Sequence, residues 1–455
     1  MSIETINPAT GETIKIYQEI SDEELMNKID KAQATFEKWS QVPISDRAKF
    51  MLKAAALLRE NKDEYALLIT TEMGKPISQS VAEIEKCAWN CEYYAQQAGE
   101  YLKPKVIQTE MQQSSVHYLP LGIIFSIMPW NFPFWQVFRF AAPNLMAGNV
   151  GMLAHAPITT GCALAIEDIF LKAGFPEGCF SALVISIPQS AKVIAHPKVQ
   201  GVTLTGSERA GVAVAGESAK NIKKCVLELG GSDPYLILKD ADIKNAAETC
   251  VKVRMMNAGQ VCISPKRLIA VEEVYDEFVA EVTELIKSYQ PGNPTENECE
   301  FGPMARADLR EELAIQVDKS IELGAKCVVG GEKVAGSGFY YQPTLLVDVK
   351  PGMPAHDNEL FGPVVSVIKA KDEADAIRIA NDSPYGLGAA VFTEDKARGQ
   401  MIATEKLNAG TCVVNTFVGS DPRLPFGGIK LSGYGRECAT EGIHEFVNVK
   451  TVNIK

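Results

Sequence analysis

An α/β fold of two packed domains, each built on a largely parallel sheet, is what this sequence predicts. Three observations carry it. The 455 residues are 46% hydrophobic and 22% charged, a globular composition that excludes disordered, collagen-like and coiled-coil chains. From residue 121 onward, apolar runs alternate with helical stretches, the pattern of a parallel sheet covered by helices on both faces. The alternation comes in two sets, before and after Cys262, with no linker composition, low-complexity segment or internal repeat between them.

The elements follow in order. Ser21 with Glu24 forms a capping box, and Leu25, Ile29, Ala32, Phe36 and Trp39 then recur at helical spacing. Further helices are expected over about 46–61 and 77–99. Near 106–116 the chain turns polar, Gln-rich and extended, a β-excursion away from the helical layer. LGIIFSI, VGMLAHA, CFSALVI, GVTLTGS and PYLILKD read as the first set of buried strands. KRLIAVEEV, AKCVVGGE, GPVVSVIKA, GAAVFTED and TCVVNT read as the second.

Composition also bounds function. A chain of this length buries a core without disulfides or metals, and at roughly 100–200 residues per domain two to four domains are expected. Forty-five Lys and Arg against 57 Asp and Glu give a net charge of −12, which argues against nucleic acid as the main partner. The 11 cysteines are irregularly spaced, and the closest pair, Cys87 and Cys91, has no second pair or His beside it. Reduced thiols and no metal site are expected. The first residues lack a basic start followed by an apolar stretch, and no run of about 18 apolar residues occurs. The expectation is a cytoplasmic protein with no membrane partner.

Familiar nucleotide and hydrolase signatures are missing. No G-x-G-x-x-G follows a strand, Val212 stands where a phosphate-loop Lys is required after Gly211, and no G-x-S-x-G occurs. Three other segments concentrate unusual residues. In PWNFPFWQVFR, two prolines stiffen the loop around Asn131, whose amide could donate to an oxyanion or merely fix the turn. In VLELGGSDP, Glu228 sits among apolar residues near a strand end, as a desolvated general base or one half of an ion pair. In NAGQVCISPKR, Cys262 follows a Gly-containing turn, as a nucleophile or a buried small hydrophobe.

Taken together, these segments resemble the aldehyde dehydrogenase superfamily. The matches are INPATGE (6–12), TEMGKP (71–76), PWNFP, LTGS (204–207), ELGG, GQVC, ELFGPV (359–364), NDSPYGL (381–387) and PFGGIKLSGYGRE (425–437). Within the superfamily the pattern is most similar to the short bacterial succinate-semialdehyde dehydrogenases. The resemblance implies two packed α/β domains, a Rossmann-like cofactor domain (1–106 and 124–227) and a catalytic domain (228–428), plus a small β oligomerisation element (107–123 and 438–455). It implies NAD or NADP as cofactor, a small aldehyde as substrate, and a homodimer or homotetramer. The activity implied is oxidation of succinate semialdehyde through a cysteine thiohemiacetal and thioester. Oxidation of another aliphatic aldehyde, a variant weakened at Ala154, or a binding role on a dehydrogenase scaffold are the alternatives.

Site roles carry over with the motifs. Cys262 becomes the nucleophile, Asn131 the oxyanion donor, and Glu228 the base that activates water. Gly206, Ser207 and Gly211 fall near the cofactor pyrophosphate, Glu359 at the nicotinamide ribose, and Phe361 and Trp130 beside the nicotinamide. Where the family usually has Lys-Pro-Ser/Ala-Glu at the adenosine ribose, this chain has Ala154, His155, Ala156 and Pro157. Loss of the Glu admits a 2′-phosphate, and loss of the Lys weakens binding of either cofactor. Arg139 is expected on the substrate carboxylate, with Trp135 as apolar wall and Ser420 as a second contact. Met256 replaces a second arginine found in some relatives, and Ser264 at the second position after Cys262 leaves no disulfide partner in that loop.

Overall fold

The structure, a computed structural model, describes residues 2–455. A hairpin of β1 (Ser2–Ile6) and β2 (Thr13–Gln18) opens the chain, followed by α1 (Asp22–Trp39), α2 (Ile44–Glu60), α3 (Lys62–Met73) and α4 (Ile77–Tyr101). Both halves of the Ser21–Glu24 capping box are made. The hairpin and α3 were not among the expected elements. The hairpin turn closes by the Gly11 N–H donating to Asn7 O at 2.7 Å, with Gly11 at φ +76, a geometry set by a few turn residues and invisible to periodicity.

Strands β3 (Lys105–Ile107) and β4 (Gln113–Pro120) form the β-excursion. The first α/β unit runs β5 (Ile123–Met128), α5 (Trp135–Ala147), β6 (Val150–His155), α6 (Thr160–Ala173), β7 (Phe180–Ala182), α7 (Ile187–Ala195), β8 (Val199–Thr205), α8 (Glu208–Lys220) and β9 (Lys224–Glu228). Its sheet has the order β9-β8-β5-β6-β7, all parallel. The connections from β5 lead one way to β6 and β7, whereas β8 and β9 lie on the other side of β5. The loops after β5 and β8 therefore diverge and open a crevice at the carboxyl edge, where α/β sheets bind ligands. Glu228, expected to start the second domain, is instead the last residue of β9.

The second unit contains β10 (Asp233–Ile237), α9 (Ile243–Met255), β11 (Pro265–Val271), β12 (Lys326–Val329), β13 (Thr344–Val347), β14 (Val364–Ala370), β15 (Gly388–Phe392) and β16 (Thr411–Val414). The sheet order is β12-β13-β14-β11-β10-β15-β16, parallel except for β12. KRLIAVEEV is strand only to Val271, and CFSALVI only over three residues. Four residues join β9 to β10, so the carboxyl edge of the first sheet faces the amino edge of the second. Separate cores lie beneath each sheet, one around Phe125, Phe138 and Phe170, the other around Tyr235, Phe278 and Phe392.

Two late strands cross back. β17 (Gly433–Tyr434) adds an antiparallel edge to the first sheet beside β9, and β18 (Val447–Ile454) pairs with β4 over eight residues. The latter makes a three-stranded antiparallel sheet, β18-β4-β3, with Val106, Ile107, Val449 and Ile454 exposed. Residues 439–444 stay out of that sheet as a short helix, where Ala439 O accepts the Tyr94 hydroxyl at 3.1 Å. Among the described residues, no helix is long and apolar enough to cross a membrane, and no cluster of three or more His, Cys, Asp or Glu could hold a metal.

Candidate active site

The loop carrying Asn131 is held from behind. Glu83 on α4 is buried and accepts the N–H groups of Phe134 and Trp135 at 2.8 and 2.9 Å, neutralising the amino end of α5. Glu83 is itself paired with the buried Lys75, whose ammonium lies 3.7 Å from the Phe132 ring centre. All thirteen residues of α5 are buried, so the loop is fixed at both ends. Asn131 Nδ2 donates to Gln260 O at 3.1 Å, and its Oδ1 has no partner although buried.

The loop of Cys262 is equally constrained. Asn257 and Ala258 both hold φ near +51, and Gly259 holds φ +73 with Gly362 O where a Cβ would collide. Asn257 Nδ2 donates to Asn131 O at 3.0 Å, and the Ala305 N–H donates to Gln260 Oε1 at 2.9 Å. Lys266, nearly all buried at the start of β11, donates to Val261 O at 3.0 Å and Cys262 O at 2.6 Å. Its ammonium also pairs with Glu359 Oε1 at 3.0 Å. None of these polar supports was expected, although two basic residues inside the apolar run PKRLIAV signal a buried charge in need of partners.

Two cavities meet at Cys262. The larger, about 670 Å³, contains Cys262, Gln136, Arg139, Trp135 and Ser420 in its wall. The smaller, about 270 Å³, contains Cys262 again with Asn131, Glu228, Trp130, Glu359 and Phe361. The three chemistry-bearing side chains predicted from separate segments thus face one space. Glu228 Oε1 is buried without a hydrogen bond. Burial lifts the Glu228 carboxyl well above the usual range, only partly offset by Arg139, while Glu437 lifts it further. Burial likewise pushes the Cys262 thiol up to about 11, opposed by Lys266 and Arg139. The thiol is therefore mostly protonated at neutral pH in the free protein, and its thiolate fraction grows as pH rises. Alkylation of Cys262 by iodoacetamide should accelerate about tenfold per pH unit from 7 to 10; a plateau below pH 8 would contradict this.

The smaller cavity runs along the crevice edge. Ser207 caps α8, accepting the Ala210 N–H at 3.3 Å, and a Cβ on Gly206 would meet nothing nearer than Leu204 at 3.9 Å. A Cβ on Gly211 would strike Leu229 at 2.7 Å, so that glycine sets how closely α8 packs. Trp130 and Phe361 meet edge to face at 5.8 Å. Ala154 and His155 end β6, two strands from β8, and do not line either cavity. His155 Nε2 donates to Pro133 O at 2.9 Å and its Nδ1 contacts the Thr159 hydroxyl at 2.8 Å. Burial pushes the imidazole down to about 4 and keeps it neutral.

Arg139 differs from its simplest expectation. It lines the larger cavity, but its guanidinium forms a buried ion pair with Glu437, Nη2 reaches Thr205 Oγ1 at 3.4 Å, and the Phe426 ring lies 4.8 Å away. Burial opposes the charge on Arg139, but Glu437 and Glu228 outweigh it and hold the guanidinium above its usual range. Trp135 and Ser420 are joined, Nε1 donating to Oγ at 3.0 Å. Gln136, which touches both cavities, and Lys86, on the wall of the larger, were not anticipated.

Comparison with known proteins agrees with this geometry. The family model described as "Aldehyde dehydrogenase family" matches residues 1–452. A Synechocystis sp. protein named probable succinate-semialdehyde dehydrogenase [NADP(+)] is 47% identical over 452 residues, covering 99% of each chain. An Escherichia coli K12 protein named succinate semialdehyde dehydrogenase [NAD(P)+] Sad is 42% identical over 98% of this chain and 97% of its own. Among solved structures, succinic semialdehyde dehydrogenase from Streptococcus pyogenes in complex with NADP+ superposes with a TM-score of 0.97 at 36% identity, covering 99% of both chains. With the fold, the motifs and full-length relatives in agreement, this chain belongs to the aldehyde dehydrogenase family.

Proposed function

We propose that this chain catalyses the NAD(P)-dependent oxidation of succinate semialdehyde to succinate, with Cys262, Asn131 and Glu228 as its catalytic residues. The observation that carries the reading is the position of Cys262 at the junction of two cavities, one suited to a short acid, the other running to the amino end of α8. The names of full-length relatives support the substrate class and both cofactors.

The chain's own residues fit a dinucleotide. The open face at Gly206 and Ser207 presents a helix amino terminus to a diphosphate. Glu359 would hold the nicotinamide ribose, and Trp130 and Phe361 would pack beside the ring. When bound, NAD(P) supplies the hydride acceptor. Ala154 and His155 would lie at the adenosine ribose without a cationic donor. Ala154→Lys should lower the Kd for NADP+ about tenfold by calorimetry; an unchanged Kd would remove Ala154 from this site.

Catalysis then rests on three groups. The Cys262 thiol gives up its proton as the sulfur bonds to the aldehyde carbon, and the carbonyl oxygen takes a proton up, giving a thiohemiacetal. An Asn131 N–H and the Cys262 backbone N–H stabilise the oxygen as it gains charge. With the acyl group on sulfur as a thioester, Glu228 takes a proton from water and the hydroxide displaces the thiolate. Arg139, clasped by Glu437, would contribute positive potential toward the substrate carboxylate, with Trp135 and Ser420 in the same wall.

The three-stranded sheet with its exposed apolar residues supports a homodimer or homotetramer. Eleven free cysteines support a reducing, cytoplasmic location. Turnover of succinate semialdehyde by purified protein with each cofactor tests the assignment. A kcat/KM for butanal equal to or above that for the semialdehyde would overturn the substrate.

A further inference from the structure

We propose that Lys86, with Ser420, forms the seat for the substrate's remote carboxylate. The inference rests on the substrate reading above and names the residue that enforces it. Lys86 projects from α4 into the wall of the larger cavity that Cys262 also lines. Its ammonium donates to Ser420 Oγ at 2.9 Å and lies 4.1 Å from the Trp135 ring centre. No ion pair to Lys86 forms among the described residues, although several charged groups surround it. Glu83, on its own helix, is taken up by Lys75 and two backbone N–H groups. Asp421 is bound to Arg423 at 2.7 Å. Arg139 on α5 faces Lys86 as a like charge, and Cys87 and Cys438 are buried thiols.

The hydrogen bonds at this corner point the same way. Trp135 Nε1 and Lys86 Nζ can only donate, so Ser420 Oγ accepts from both and its own O–H remains to donate. Lys86 uses one of its three N–H groups on Ser420. The pair therefore offers free donors to a carboxylate, beside the Trp135 ring. Arg139 offers less, because its guanidinium already faces Glu437. Burial pushes Lys86 down to about 8, so an uncompensated cation waits at the cavity wall. An arriving carboxylate restores its preference for the charged form.

Two substrates of equal chain length separate this role from a structural one. The ratio of kcat/KM for succinate semialdehyde to that for butanal is measured in wild type, Lys86→Met, Lys86→Arg and Arg139→Gln. Lys86→Met should reduce the ratio roughly 30-fold, because only the acid forms a charge-assisted hydrogen bond with the ammonium. Lys86→Arg should restore most of it. Arg139→Gln should slow both substrates and move the ratio less. In wild type, KM for the semialdehyde should climb above pH 8 as Lys86 deprotonates, while KM for butanal does not follow. A ratio unmoved by Lys86→Met, or one abolished only by Arg139→Gln, overturns the seat. Calorimetry with succinate reads the seat without turnover, and Kd should rise at least tenfold in Lys86→Met, or in Lys86→Gln if the first variant does not fold. Wild type preferring butanal while succinate binding still depends on Lys86 overturns the substrate assignment and supports the seat. Preference for the semialdehyde with succinate binding independent of Lys86 does the reverse.

Discussion

Glu228→Gln should leave a single burst of reduced cofactor, about one equivalent per site, followed by a steady rate about 10²–10⁴-fold below wild type. The amide keeps the shape of the side chain but cannot take a proton from water, so the acyl group stays on Cys262. The buried carboxyl, lifted by desolvation and by Glu437, keeps its proton to higher pH than an exposed glutamate. The base form is gained as pH rises. Wild-type steady turnover should therefore increase with pH over the range where Glu228 ionises, and Glu228→Gln should lose that limb. Stopped-flow absorbance of the reduced nicotinamide separates burst from steady state. Loss of the burst itself would place Glu228 in the first half of the reaction.

Asn131→Ala should reduce kcat about 10²–10³-fold, the usual effect of deleting one oxyanion donor. The amide is already aimed, because Gln260 O accepts one Nδ2 hydrogen and Asn257 holds the backbone of the same loop. Its second Nδ2 hydrogen has no need to reorganise as the carbonyl oxygen gains charge. The aldehyde group is common to all substrates, so the loss should be equal for succinate semialdehyde and butanal. That separates it from Lys86→Met, which should act on the acid alone. A loss confined to KM, with kcat near wild type, would make Asn131 a ground-state contact only.

The sequence made the sheets and the site legible to different depths. LGIIFSI and GVTLTGS read as strands because buried parallel strands are continuous apolar runs, and they became β5 and β8. Strand β13 and the opening hairpin escaped, one being only four residues long and the other set by its turn chemistry. Cys262, Glu228 and Asn131 were each ambiguous alone, since nothing in a single segment says which distant segment it faces. Motif order, not local chemistry, brought them together. Lys86 was invisible for the same reason in stronger form. On α4 it is one lysine beside a buried helical stripe, and its meaning comes from Ser420, 334 residues away. Arg139 was legible as a site residue, but its clasp by Glu437 depends on how the segment after β17 folds back over α5.

The most direct test is mass spectrometry of Glu228→Gln protein mixed with succinate semialdehyde and NADP+, then quenched in acid and digested. A succinyl adduct on the peptide containing Cys262, absent without cofactor and removed by hydroxylamine, is the predicted result. An adduct on any other of the eleven cysteines, or none on Cys262 during turnover, would contradict the convergence of thiol, amide and carboxyl on one carbonyl carbon.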